Sequence, residues 1–138
     1  MKVIVLSQDE AVKMATSSSD KMAILSITNR LSKNVSFPSN DNIISIHNMK
    51  FDDEYLPKGN GPRQEYFEGL KEFVDDIYDK VDILIVHCAA GMSRSPAVAE
   101  AIAKYLEDVD VIYKESEYPN EKNILVYRFA CNELGVEE

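Results

Sequence analysis

Apolar residues gather along this chain in four short runs separated by amphipathic stretches. Val3 to Leu6, Met22 to Thr28, Asn42 to His47 and Asp82 to His87 have strand length and β-branched content. Three of these are apolar on successive residues, the pattern of strands covered on both faces of a parallel sheet. Between them lie helical periodicities. Gln8 to Ala15 is the weakest. Arg63 to Tyr78 is the strongest, with Phe67, Leu70, Phe73, Val74 and Ile77 spaced by three and four to make one apolar stripe. Ser95 to Leu106 carries Pro96 in its first turn, where no intrahelical amide proton is needed, followed by small residues that permit close packing. After the Tyr118-Pro119-Asn120 turn, Glu121 to Leu134 reads as a last helix stopped by Gly135.

Strands alternating with helices predict an α/β fold, a single domain over residues 1–138 with a mainly parallel central sheet of four to five strands flanked by helices. The length suits one core. Met49 to Pro62, with two prolines and two glycines, is the one long candidate loop, and loops of that length in small domains are often functional.

Composition narrows the classes further. No apolar run approaches the length needed to span a bilayer, and MKVIVLSQDE turns polar too early for a signal peptide, so a cytoplasmic protein with no membrane partner is expected. A formal charge of -9 disfavours nucleic acid as a partner. The two cysteines, Cys88 and Cys131, suggest neither a disulfide framework nor, with two histidines, a usual zinc set. Neither a metal nor another cofactor is expected.

The chemistry is concentrated in Ile83-Leu84-Ile85-Val86-His87-Cys88-Ala89-Ala90-Gly91-Met92-Ser93-Arg94-Ser95-Pro96, a strand, a tight loop of small residues and a helix start. Such a loop can aim the backbone N–H groups of Ala89, Ala90, Gly91, Met92, Ser93 and Arg94 at an oxyanion, aided by the helix dipole. The same field favours the thiolate of Cys88, the nucleophilic form. Arg94 offers a planar fork for two phosphoryl oxygens, Gly91 allows a backbone conformation that a Cβ resists, and the Ser95 hydroxyl can donate to the Cys88 sulfur. His87, on a buried strand before the nucleophile, is expected to support rather than shuttle protons. Cys131 falls on the apolar stripe of the last helix and reads as core.

His87-Cys88, five residues, then Arg94-Ser95 resembles the H-C-x5-R-[ST] signature of the protein tyrosine phosphatase superfamily, and Ala90 to Pro96 is most similar to its dual-specificity branch. These residue types would coincide by chance about once in ten million positions. The resemblance implies a cysteine phosphatase fold and a two-step, metal-independent hydrolysis of phosphotyrosine, with phosphoserine or phosphothreonine as further substrates, through a cysteinyl-phosphate. It also implies a general acid on a loop before the cysteine, which matches Phe51-Asp52-Asp53-Glu54-Tyr55. A Phe-x-Asp pattern in small bacterial relatives favours Asp53, with Asp52 as the alternative and Glu54 behind both. Lys58 and Arg63 beside this loop read as solvated charges, and His47 as a satisfied polar residue.

The absence of lysine from Ala89 to Ser93 argues against a multiply phosphorylated substrate. A phosphorylated protein or a small phosphomonoester is the expected partner. Two competing readings use the same loop: a phosphate-recognising module without turnover, and an RNA 5′-phosphatase.

Overall fold

The computed structural model describes residues 1–113 and 121–138, so the expected Tyr118-Pro119-Asn120 turn lies outside the described residues. Lys2–Leu6 forms β1, Gln8–Ser17 α1, Met22–Thr28 β2, Ile43–Lys50 β3, Leu70–Ile77 α2, Ile83–His87 β4, Arg94–Leu106 α3, Val111–Tyr113 β5 and Ile124–Leu134 α4. The five strands make one sheet in the order β3-β2-β4-β1-β5, and every pairing is parallel. The expected α/β fold with a parallel central sheet is therefore what the chain adopts.

The continuous apolar runs occupy the middle of the sheet. All seven residues of β2 and all five of β4 are buried, as are four of the five in β1. β3 is an edge strand and shows alternating burial instead. One face of the sheet carries Val3, Val5, Ala23, Leu25, Ile27, Leu84 and Val86 against α2, α3 and α4. The opposite face, with Ile4, Leu6, Met22, Ile24, Ile83 and Ile85, is covered by Ala11 and Ala15 of α1.

Four expectations change. β5 was absent from the four apolar runs, and β3 extends to Lys50, taking Met49 out of the expected loop. The stripe expected as one helix over Arg63 to Tyr78 divides into a 3-10 turn, Gln64–Phe67, and α2. Gly69 takes φ 87° at the junction, a left-handed conformation open to glycine at little cost. The break turns Phe67 onto Phe51, with ring centroids 5.1 Å apart, and edge-on to Phe129, while Leu70, Phe73, Val74 and Ile77 remain buried. The last helix begins three residues later than expected, where the Asn123 side chain accepts from the Val126 amide, and it ends on left-handed Gly135.

Candidate active site

The loop Cys88 to Ser93 leaves β4, the central strand, and enters α3 at the carboxyl edge of the sheet, where α/β proteins gather their sites. Its backbone is seated on the end of β1. Gly91 has φ 72°, and a Cβ there would lie 2.8 Å from the Leu6 carbonyl carbon and oxygen and 2.9 Å from the Ser7 nitrogen. Only glycine fits both constraints. The Gln8 amide donates to the Ala89 carbonyl at 3.1 Å, a second tie between this loop and the β1–α1 junction.

His87 anchors the loop from below. Its ring is fully buried, with Nδ1 3.1 Å from the Cys88 carbonyl, Nε2 2.6 Å from Ser26 Oγ and Phe37 edge-on at 5.8 Å. A carbonyl only accepts, so Nδ1 carries the proton and Nε2 accepts from the serine hydroxyl. Burial, and secondarily the Arg94 charge, hold its pKa below the usual value, in keeping with a neutral ring.

Cys88 Sγ lies 3.2 Å from Ser95 Oγ, and both residues are buried. Arg94 is also buried, its Nη1 donating to Asn29 Oδ1 and to the Phe51 carbonyl, each at 2.8 Å. Among the described residues, its Nε and Nη2 make no hydrogen bond and no carboxylate pairs with it. A buried guanidinium without a counter-charge is costly, and an anion on its open side would relieve that cost. Ala89 and Ala90 are exposed beside it, and the Met92 side chain reaches solvent.

The two candidate acids occupy different environments. Asp53 Oδ1 accepts from Ser93 Oγ and from Asn123 Nδ2, each at 2.9 Å, which joins the acid loop to the phosphate-binding candidate and to the cap of α4. Asp52 faces another way: its Oδ1 accepts from the Arg30 amide at 3.0 Å, and its own amide donates to the Asn60 carbonyl at 2.7 Å. Asp52 is thus engaged in holding the loop, whereas Asp53 meets the loop that carries Cys88. The Glu54 carbonyl accepts from Asn123 Nδ2 at 2.9 Å, and Glu54 lines a separate cavity with Asp52, Tyr55, Leu56 and Lys58. Phe51, stacked in the core, fixes the start of this segment.

Of three surrounding residues, Cys131 keeps its expected place in the core, while Arg63 departs from its expected role. Arg63 folds back to donate from Nη2 to the Gly59 carbonyl at 3.3 Å, so it is part of the loop rather than a solvated charge. His47 is half-buried and stacked on Phe73 at 5.1 Å, away from the phosphate-binding candidate. Cys131 is buried in α4, where burial pushes its thiol pKa up.

Ser26, Asn29 and Asn123 were not singled out from the sequence. Asn123 stands just before the apolar Ile124-Leu125-Val126, a helix-cap signal that could have found it. Asn29 follows a strand, and nothing local marks it. Comparison with protein-family models and with curated proteins finds no match to this chain. Among the described residues, no helix is long and apolar enough to cross a membrane.

Proposed function

We propose that this protein is a cytoplasmic, cysteine-dependent phosphomonoesterase, with phosphotyrosine, phosphoserine and phosphothreonine as the esters that its resemblance to the protein tyrosine phosphatases implies. The observation that carries the reading is the buried guanidinium of Arg94, without a carboxylate partner among the described residues, at the end of the short loop that begins at Cys88, whose sulfur faces the Ser95 hydroxyl.

The chemistry follows from these positions. The phosphoryl group sits in the loop, with two of its oxygens on Arg94 Nε and Nη2 and others on backbone N–H groups. Asn29 and the Phe51 carbonyl hold the guanidinium edge-on to it. The Cys88 thiolate forms an S–P bond as the ester P–O bond breaks, and Asp53 gives its proton to the departing oxygen. In the second step water attacks phosphorus, Asp53 takes the water's proton, and the S–P electrons return to sulfur. Ser95 donates to that sulfur and eases its departure. His87 holds the Cys88 carbonyl and takes no part in proton transfer. No step in this scheme uses a metal.

Turnover of p-nitrophenyl phosphate, inhibition by vanadate and a trapped phosphate on Cys88 are the expected results. Cys88→Ser abolishes turnover. Asp53→Ala flattens the basic limb of the pH profile and spares substrates with good leaving groups. Phosphopeptide binding without phosphate release would support a recognition module instead, and the Asp53 phenotype appearing only in Asp52→Ala would reverse the choice of acid.

A further inference from the structure

The β2–β3 connection supplies a feature that the proposed reaction leaves unused. A cavity of about 200 Å³ opens beside the phosphate-binding candidate, lined by Gln8, Thr28, Asn29, Ser32 and Lys33, with Arg94 at its wall. It is smaller than the roughly 300–1,000 Å³ of pockets that enclose drug-sized ligands, and it suits one slender group.

Its chemistry is one-sided. Lys33 and Arg94 are cations, the remaining polar groups are hydroxyls and amides, and among the described residues no aspartate or glutamate lines it, although the chain carries nine more acidic than basic residues. Lys33 makes no ion pair among the described residues. Thr28 is only 7% exposed, and its Oγ1 is buried with no hydrogen-bond partner among the described residues. A buried hydroxyl left unmatched is unfavourable, and an anionic oxygen in the cavity would accept from it. The sequence had argued against a second anion because Ala89 to Ser93 hold no lysine, but the fold brings Lys33 to Arg94 from a connection more than fifty residues earlier.

We propose that this cavity is a second-anion subsite, and that the preferred substrates are small phosphomonoesters bearing a carboxylate or a second phosphoryl group a few bonds from the first. The proposal rests on the phosphatase reading for its substrate class. Arg94 is shared: its open edge takes the phosphoryl group to be cleaved, while Lys33 and Thr28 take the other anion. A cavity of this size admits a slender chain, which makes phosphorylated proteins the poorer class.

Calorimetric binding to Cys88→Ser separates the possibilities without turnover. Propyl phosphate, 3-carboxypropyl phosphate and propane-1,3-diol bisphosphate are compared at one ionic strength. The two doubly anionic ligands bind about tenfold tighter than propyl phosphate, and the larger gain tells whether carboxylate or phosphate is the preferred second anion. Adding Lys33→Met and Thr28→Val to the same protein brings the gain below about twofold. Equal affinities for all three ligands, or a gain that survives both substitutions, overturns the subsite. Tighter binding of a phosphotyrosine hexapeptide, lost on the same substitutions, also overturns it by assigning the cavity to peptides. If the wild-type protein releases no phosphate from any ester while the Lys33-dependent gain persists, the phosphatase reading fails and the subsite stands.

Discussion

Asn123 ties three parts of the site together, and its replacement tests whether that tie matters for chemistry as well as for folding. The side chain is fully buried. Its Oδ1 caps α4 through the Val126 amide at 3.1 Å, its Nδ2 donates to Asp53 Oδ1 and the Glu54 carbonyl at 2.9 Å each, and its backbone amide donates to the Ser93 carbonyl. Asn123→Ala removes the cap, worth about 1 kcal/mol. It also removes two bonds whose acceptor residues are exposed, together worth about another 1 kcal/mol because water replaces them in part. A loss of about 2 kcal/mol should lower Tm by roughly 8 °C for a chain of this size. Asn123→Ser keeps a capping oxygen and loses only the amide donors, so its Tm should fall by about half as much. Catalysis should not follow stability. With the Asn123 donor gone from Asp53 and only Ser93 Oγ left to it, each variant should lose about tenfold in kcat on an alkyl phosphate, whose leaving group needs the acid, and much less on p-nitrophenyl phosphate. Thermal unfolding by circular dichroism and initial rates on the two esters measure both effects. Full alkyl-phosphate activity in Asn123→Ser would refute the positioning role, and an Ala variant as stable as wild type would refute the cap.

Three further outcomes are expected. Gly91→Ala should cost about 3 kcal/mol, from its positive φ and from contact with the Leu6 and Ser7 backbone, and should abolish vanadate binding; an unchanged Tm would contradict the loop's seat on β1. Thr28→Val should stabilise by about 1 kcal/mol, because it deletes a buried hydroxyl with no partner, and urea denaturation would expose the error if stability fell. His87 and His47 both have pKa values lowered by burial, so the folded state resists protonating them. Their contribution to stability is complete above the unfolded value near 6.5 and is lost as pH falls from there through the folded values. Urea midpoints measured from pH 7 to 5 should therefore fall less in His47→Phe than in wild type.

The strands that fill the middle of the sheet could be read locally because burial on both faces writes an uninterrupted apolar run, as in β2 and β4. β5 could not. Its three residues are only half-buried at an edge, and a run so short carries no period. The stripe from Phe67 to Ile77 located the apolar face correctly but not the break within it, since Gly69 interrupts the backbone without interrupting the spacing of buried side chains. The segment from Cys88 to Ser95 was legible for a related reason: it is contiguous, so the spacing of Cys88, Gly91, Arg94 and Ser95 is visible in one dimension. Its supports are not contiguous. Asn29 reaches Arg94 across 65 positions and Asn123 reaches Asp53 across 70, and neither pairing leaves a local signal. The choice between Asp52 and Asp53 had the same character, because adjacent residues on an irregular loop point where the loop's distant contacts send them.

The contact of Gly91 with Leu6 and Ser7 also bears on when Cys88 acquires its surroundings. β1 precedes β4 and β5 in the chain, yet it lies between them, paired with residues 81 and 108 positions later. On the ribosome, Cys88 therefore emerges long after the strand end on which its loop must rest, and the loop has no seat until those two distant segments meet. Closing a loop of that size is an entropic barrier crossed together with the rest of the sheet. The loop is consequently a late product of maturation: a nascent or partly unfolded chain lacks its seat and exposes Cys88, which folding buries, so a thiol-directed probe of Cys88 would report the fraction of molecules that have not completed assembly.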